Sequence, residues 1–192
     1  MTRRRIRDLR HDELIEATIR AIRRSGFAAV TMQEIAREAG ASAASINYYF
    51  GTKERLLEAT MRRLLGVLRE ATLRRLAEAE GPRARLDAAV AANFDDALFT
   101  RERCAVWMQF WAFAPHVPRL ARLQRINRAR VRSLFAAALR PLLPERERER
   151  ARAALQAWMD GVWLEAAQEE GPLDAAAVRR EAAAFVAMTL RE

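Results

Sequence analysis

The amino-acid sequence predicts an all-α protein, on three observations. Alanine, leucine, arginine and glutamate dominate, and 51% of the 192 residues are apolar, ample for a packed core. Apolar positions recur at helical spacing, while Gly and Pro fall mainly between the periodic stretches. No period-2 run of β-branched residues suggests a strand.

Composition also bounds the partners. A formal net charge of +9 favours a polyanion, nucleic acid or an anionic membrane surface. The single cysteine, Cys104, cannot form an internal disulfide, and no charged leader followed by an apolar segment opens the chain. A reducing, cytoplasmic compartment is expected. Charged residues interrupt the apolar runs well short of bilayer length, so no membrane span is expected.

Arg3, Arg4, Arg5, Arg7 and Arg10 face one early acid, Asp8, and make the N-terminus a basic arm. Such an arm is either a solvated tail or a DNA contact through Arg4 and Arg5. The first helix follows, with Ile15, Ile19 and Ile22 on one face, and Gly26 with Phe27 predicts a Schellman ending. Helix two starts at Thr31, where Thr31 and Glu34 form a capping box and Val30 and Ile35 a hydrophobic staple. It turns at Gly40, and Ser42 caps a third helix running to Phe50. A helix-turn-helix over residues 31–50 follows, within a DNA-binding domain at 1–53.

In the third helix, Ile46 and Phe50 are four apart and bury together. That leaves Ala43, Ala44, Asn47 and Tyr48 outward, near the end that enters a major groove in helix-turn-helix docking. Alanine lets the backbone come close and can meet a thymine methyl, Asn47 can pair with an adenine edge, and a tyrosine hydroxyl can reach phosphate. Thr52 caps a fourth helix, which puts Lys53 in a first turn where the dipole disfavours a cation. A bound phosphate reverses that penalty, and Lys53 is the only lysine among 34 Lys and Arg. The plain alternative is an exposed lysine of no consequence.

The run from Ser42 to Leu57, SAASINYYFGTKERLL, resembles the recognition-helix-to-helix-four segment of TetR-type repressors, and the likeness extends back over Thr31 to Ala39. The resemblance implies a TetR-like fold and operator contacts from Gln33, Ala44, Asn47, Tyr48, Tyr49 and Lys53, beside Thr31, Ser42, Ala43 and Ser45 of the same motif. Asn47 and Tyr49 depart from the tyrosine and histidine common there, so the chain's base preference is its own.

Helix four, with Leu57, Met61, Leu64, Leu68 and Ala71 in register, runs until Gly81-Pro82 ends it. Beyond it, helices are predicted over 83–99, 103–114, 119–140, 145–169 and 174–190, broken by Pro115, Pro118, Pro141, Pro144 and Gly171-Pro172. The alternating Glu145 to Arg150 run reads as a solvated face. Residues 54–192 are thus expected to form a helical ligand-binding and dimerisation bundle.

Trp107, Phe110 and Trp111 share one helix at i, i+3, i+4, with Phe94 earlier and Trp158 and Trp163 later. Asp95, Asp96, Asp160 and Glu165 stand near them in sequence. Such rings are either core or an aromatic box, and a box with one carboxylate binds quaternary ammonium ions by cation–π attraction. The segments Asn93 to Asp96, Trp107 to Trp111, Arg119 to Gln124 and Asp160 to Leu164 resemble the ligand domain of choline-responsive repressors of glycine betaine synthesis within the same family. That resemblance implies a small-molecule effector, a choline-like quaternary ammonium, with Phe94, Asp95, Trp107, Phe110, Trp111, Asp160 and Trp163 around it.

Two apolar stripes close the chain: Leu155, Trp158, Met159 and Val162, then Val178, Ala182, Phe185, Val186 and Thr189. They pack within one chain or, as the resemblance implies, form a homodimer through the last two helices. Twofold symmetry then spaces two reading heads by about 34 Å or a multiple of it.

An enzyme is the rival from another class. Only His11 and His116 could act as imidazole bases, and neither they nor Cys104 form a catalytic or zinc-ligand constellation. No catalytic residue, metal or cofactor is expected. A nonspecific architectural DNA-binding protein would suit the charge, but has no need of the aromatic-rich body after Pro82.

Overall fold

The computed structural model describes residues 3–191, with side chains from Leu9 onward. Among these, nine α-helices and two short 3₁₀ turns form the chain, with no strand. Helices α1 (Arg3–Ser25), α2 (Met32–Glu38) and α3 (Ala43–Phe50) come first, and α4 (Lys53–Ala77) runs from them into the body. The body holds α5 (Gly81–Ala91), α6 (Arg101–Phe113), α7 (Pro118–Leu139), α8 (Glu145–Gln168) and α9 (Ala175–Leu190). Helix α1 packs on α2, α4 and α6, α6 lies along α8, and α5 fills the space between α7 and α9.

The apolar stripes decide these faces. Ile15, Ile19 and Ile22 of α1 and Leu57, Met61, Leu64 and Leu68 of α4 are all buried. Thr18 and Thr60 are buried too, each donating its hydroxyl to the carbonyl four residues back, at 2.7 and 2.9 Å.

Several expectations change. The basic arm is already helical from Arg3, while the side chains of Arg4 and Arg5 lie outside the described residues. Helix α1 ends in the simpler left-handed cap instead of a Schellman motif. Gly26, at φ 87°, donates its N–H to the Ile22 carbonyl, but the N–H of Phe27 turns away to Gln109 Oε1 at 2.6 Å.

Helix α4 stops at Ala77, short of Gly81. Helix α5 stops at Ala91, where Asn93 Nδ2 donates to the Ala89 and Val90 carbonyls, and beyond the following 3₁₀ turn Asp95 organises the backbone. Its side chain accepts the N–H of Ala97 at 3.1 Å, its carbonyl accepts those of Leu98 and Phe99, and Thr100 then caps α6. Within the Glu145 to Arg150 run, Arg148 folds back and donates to the Arg140 and Leu143 carbonyls, closing the end of α7.

The terminal stripes are used largely inside the chain. Leu155, Met159, Ala182 and Val186 are buried, and Trp158 stacks on Phe185 at 5.2 Å. The faces α8 and α9 leave exposed carry small residues, Ala153, Ala157 and Gly161, Ala183 and Ala184, with Leu164 and Met188 at 49% and 65% exposure.

Candidate DNA interface and effector cavity

The reading head is set by local capping. The Thr31 hydroxyl accepts the Glu34 N–H at 3.2 Å, and Glu34 Oε2 accepts the Thr31 N–H at 2.7 Å. That backbone bond, with the Ser25 hydroxyl, holds the Glu34 carboxyl below the ordinary carboxylate range. Ser42 accepts the Ser45 N–H at 3.1 Å and starts α3.

Ile46 and Phe50 are then buried, and Phe50 rests against the His11 ring at 4.6 Å, a contact the sequence does not advertise. The opposite face of α3 presents Ser42, Ala44, Asn47 and Tyr48, the last 81% exposed. Tyr49 is half-buried and meets Tyr48 edge-on at 5.4 Å, so it orients its neighbour as much as it faces outward. Ala43 and Ser45 are half-buried at the same end, and Thr31 and Gln33 are exposed at the start of α2.

Lys53 occupies the first position of α4 after the Thr52 cap, and its ammonium donates to the Ala28 carbonyl at 2.7 Å. It is therefore not an idle lysine: it ties the start of α4 to the α1–α2 loop, with two ammonium hydrogens left for an anion. Replacing Lys53 by Ala should weaken binding to all DNA sequences alike and reduce the slope of log affinity against log salt by about one. A titration showing an unchanged slope would mean that Lys53 touches no phosphate.

In the body, Trp107 and Trp111 of α6 and Trp163 and Asp160 of α8 line one cavity of about 30 Å³, with Asn93, Gln156, Met159, Leu68, Asn127 and Val131 completing its wall. The Trp107 and Trp163 rings lie 5.3 Å apart at 45°. Asp160 is half-buried and accepts Gln156 Nε2 at 2.7 Å, and burial pushes its carboxyl above the usual range.

Phe94, Phe110 and Asp95 line no part of this cavity. Adjacent helical residues point about 100° apart, so Trp111 turns to the cavity while Phe110 turns to the core behind Trp107, at 6.3 Å. Phe94 is fully buried between Phe99 and Trp158. Asp95 is buried and paired with Arg74 at 2.5 Å and Arg75 at 3.7 Å, which makes it a structural anchor.

Helix α6 also grips α1. Besides the Gln109 bond to Phe27, Arg103 pairs with Glu16 at 3.0 Å and Glu102 with Arg23 at 2.6 Å. The helix that presents two of the cavity's indoles thus holds the helix behind the reading head. Further along α6, burial pushes the Cys104 thiol up to about 12, which removes it as a nucleophile at neutral pH.

Comparison with known proteins gives this arrangement its family. Residues 14–60 match the bacterial regulatory proteins of the tetR family, and residues 82–191 match the C-terminal domain of BetI-type transcriptional repressors. The HTH-type transcriptional regulator BetI of Burkholderia mallei is 41% identical over 182 residues, 94% of this chain and 93% of that protein.

The chain belongs to the TetR family.

The BetI regulator of Burkholderia thailandensis is 39% identical over 186 residues, 96% of this chain and 95% of that one. Among solved structures, a transcriptional regulator from Pseudomonas aeruginosa PAO1 superposes with a TM-score of 0.75 at 26% identity, covering 96% of this chain and 91% of that one. A regulator from Saccharomonospora viridis, solved in complex with choline, shares the fold with a TM-score of 0.76 at 23% identity, over 92% and 94% of the two chains. The protein is accordingly a TetR-family transcriptional repressor, similar to BetI, and not an enzyme. TetR-family regulators bind operator DNA and small-molecule effectors and dimerise. Among the described residues, no helix is long and apolar enough to cross a membrane.

Proposed function

We propose that this repressor is a cytoplasmic homodimer that controls choline and glycine betaine genes and answers to a choline-like quaternary ammonium ion. The observation that supports it is the cavity in which Trp107, Trp111 and Trp163 surround space beside the half-buried carboxylate of Asp160. Aromatic faces attract a quaternary cation that can donate no hydrogen bond, and a desolvated carboxylate supplies the counter-charge. The BetI-type match over 82–191 and the choline bound by the Saccharomonospora regulator favour the same chemistry.

At about 30 Å³ the cavity has room for about two waters and is smaller than a trimethylammonium group. Binding therefore moves a wall, and half-exposed Trp111 on α6 is the ring with room to swing. Displacing α6 strains its contacts to Glu16, Arg23 and Phe27, and so disturbs the reading head. In this reading, residues through Lys53 form the head, with Asn47 foremost at the bases and Tyr48 at the backbone phosphates. The remainder senses effector, and the small-residue faces of α8 and α9 pair two chains.

Calorimetry with choline and betaine aldehyde tests the effector directly. The wild-type protein should release or absorb heat, and Trp111→Ala should bind about tenfold more weakly, the loss of one partly desolvated cation–π contact. No heat from any quaternary ammonium would discard that effector class and leave the repressor a regulator of other genes with a different ligand. Operator binding is checked by competition: the complex on its own promoter region should survive excess random duplex at moderate salt. Equal loss on both DNAs would replace a specific repressor with an architectural protein.

A further inference from the structure

Against the outer wall of the aromatic cavity lies a second one, of about 120 Å³, between α4 and α7. Leu68, Asn127 and Val131 line both cavities, so a few side chains separate the two spaces. The outer space is apolar: Leu65, Leu73 and Leu134 complete most of it, and the Thr72 hydroxyl within it is spent on the Leu68 carbonyl at 2.7 Å. Leu73 lines it with 52% of its surface exposed, a large apolar side chain left half uncovered by the described residues. Arg69 and Arg130 border the space, and both are exposed.

We propose that the two cavities are head and tail compartments of one effector site, and that the effector is an amphiphilic cation. It carries a quaternary ammonium head, which sits among the indoles beside Asp160, and an unbranched apolar tail, which lies between α4 and α7. The inference rests on the quaternary-ammonium reading above and extends it. At about 120 Å³ against about 30 Å³ for the inner cavity, the outer space has room for a short alkyl chain of a few carbons. A short hydroxylated arm such as choline's leaves it unfilled. The charges fix the direction: Asp160 draws the cation inward, while Arg69 and Arg130 repel a second cation at the mouth. A tail with a neutral end fits, and a dication with quaternary groups at both ends does not.

The test is calorimetry on the full-length protein with a series from tetramethylammonium through butyl- to octyltrimethylammonium, all below their aggregation concentrations. Affinity should rise about threefold to fourfold per added methylene, and level off once about four to six carbons are in place. Leu73→Asp, at a half-exposed position that leaves the core intact, should remove most of the gain for the pentyl compound while leaving tetramethylammonium binding unchanged. Pentane-1,5-bis(trimethylammonium) should bind at least tenfold more weakly than the pentyl monocation. Tetramethylammonium binding with no gain along the series would overturn the tail compartment and leave the head intact. Equal binding of the dication would overturn the role of the arginines. If no member of the series bound, the quaternary-ammonium reading itself would fall, and the tail compartment with it.

Discussion

Replacing Asp160 by Asn should lower affinity for tetramethylammonium about thirtyfold and, in the same variant, raise the melting temperature of the ligand-free protein. The affinity loss is about 2 kcal/mol, the lower end for truncating one partner of a desolvated charge pair, because the carboxylate is only half-buried. The stability gain has the opposite sign because burial raises the pKa of this carboxyl in the folded chain. The folded state then holds the proton more tightly than the unfolded state. Stability falls as pH rises from about 3.9, the unfolded value, through the raised folded value, and the penalty stays constant above that. Asparagine carries no such penalty, so melting curves of the two proteins should separate near pH 7 and converge below about pH 4. Ligand affinity follows the same group: as pH falls through its raised folded pKa, wild-type affinity should drop and level off near the roughly thirtyfold-weaker value of the Asn variant, which itself stays flat. A pH-independent wild type would place the counter-charge elsewhere.

Phe94→Ala should cost about 3–5 kcal/mol of folding stability and lower the melting temperature by roughly 10 °C, without changing effector affinity well below the transition. Phe94 is fully buried against Phe99 and Trp158, and its carbonyl accepts Arg179 Nη1 at 2.6 Å. The ring therefore holds the α5–α6 connection onto α8 and α9. Calorimetry at low temperature alongside a thermal melt separates the two roles. Weakened effector binding with an unchanged melt would return Phe94 to the cage.

What could be read from sequence divides by range. Caps and turns are local chemistry, and the expected starts at Thr31, Ser42 and Thr52 all appear with their side chains in place. The apolar faces of α1, α3 and α4 are equally legible, since a period of 3.6 residues marks a buried stripe. The TetR family and its BetI-type body are legible from runs of residues matched in order.

Partners distant along the chain are not legible. Asp95 lies beside Phe94 in sequence and looks like a cage acid, but Arg74 and Arg75, about 20 residues earlier on α4, claim it. Helical spacing shows that Trp107, Phe110 and Trp111 share a face, yet the edge that meets a cavity depends on where α4, α7 and α8 come to rest. Lys53 stands out by composition, but its bond to the Ala28 carbonyl depends on how the α1–α2 loop crosses in front of α4.

The bond from Gln109 to the N–H of Phe27 makes the reading head something other than a detachable cassette. A fragment ending at Lys53 would leave that N–H beside a buried ring without its acceptor, and would strip α1 of the faces it packs against on α4 and α6. Grafting this head onto another sensor would likewise require a host helix that brings an amide oxygen to the same spot. The head and the body are joined less by the chain that runs between them than by a side chain that completes the fold of the one from within the other.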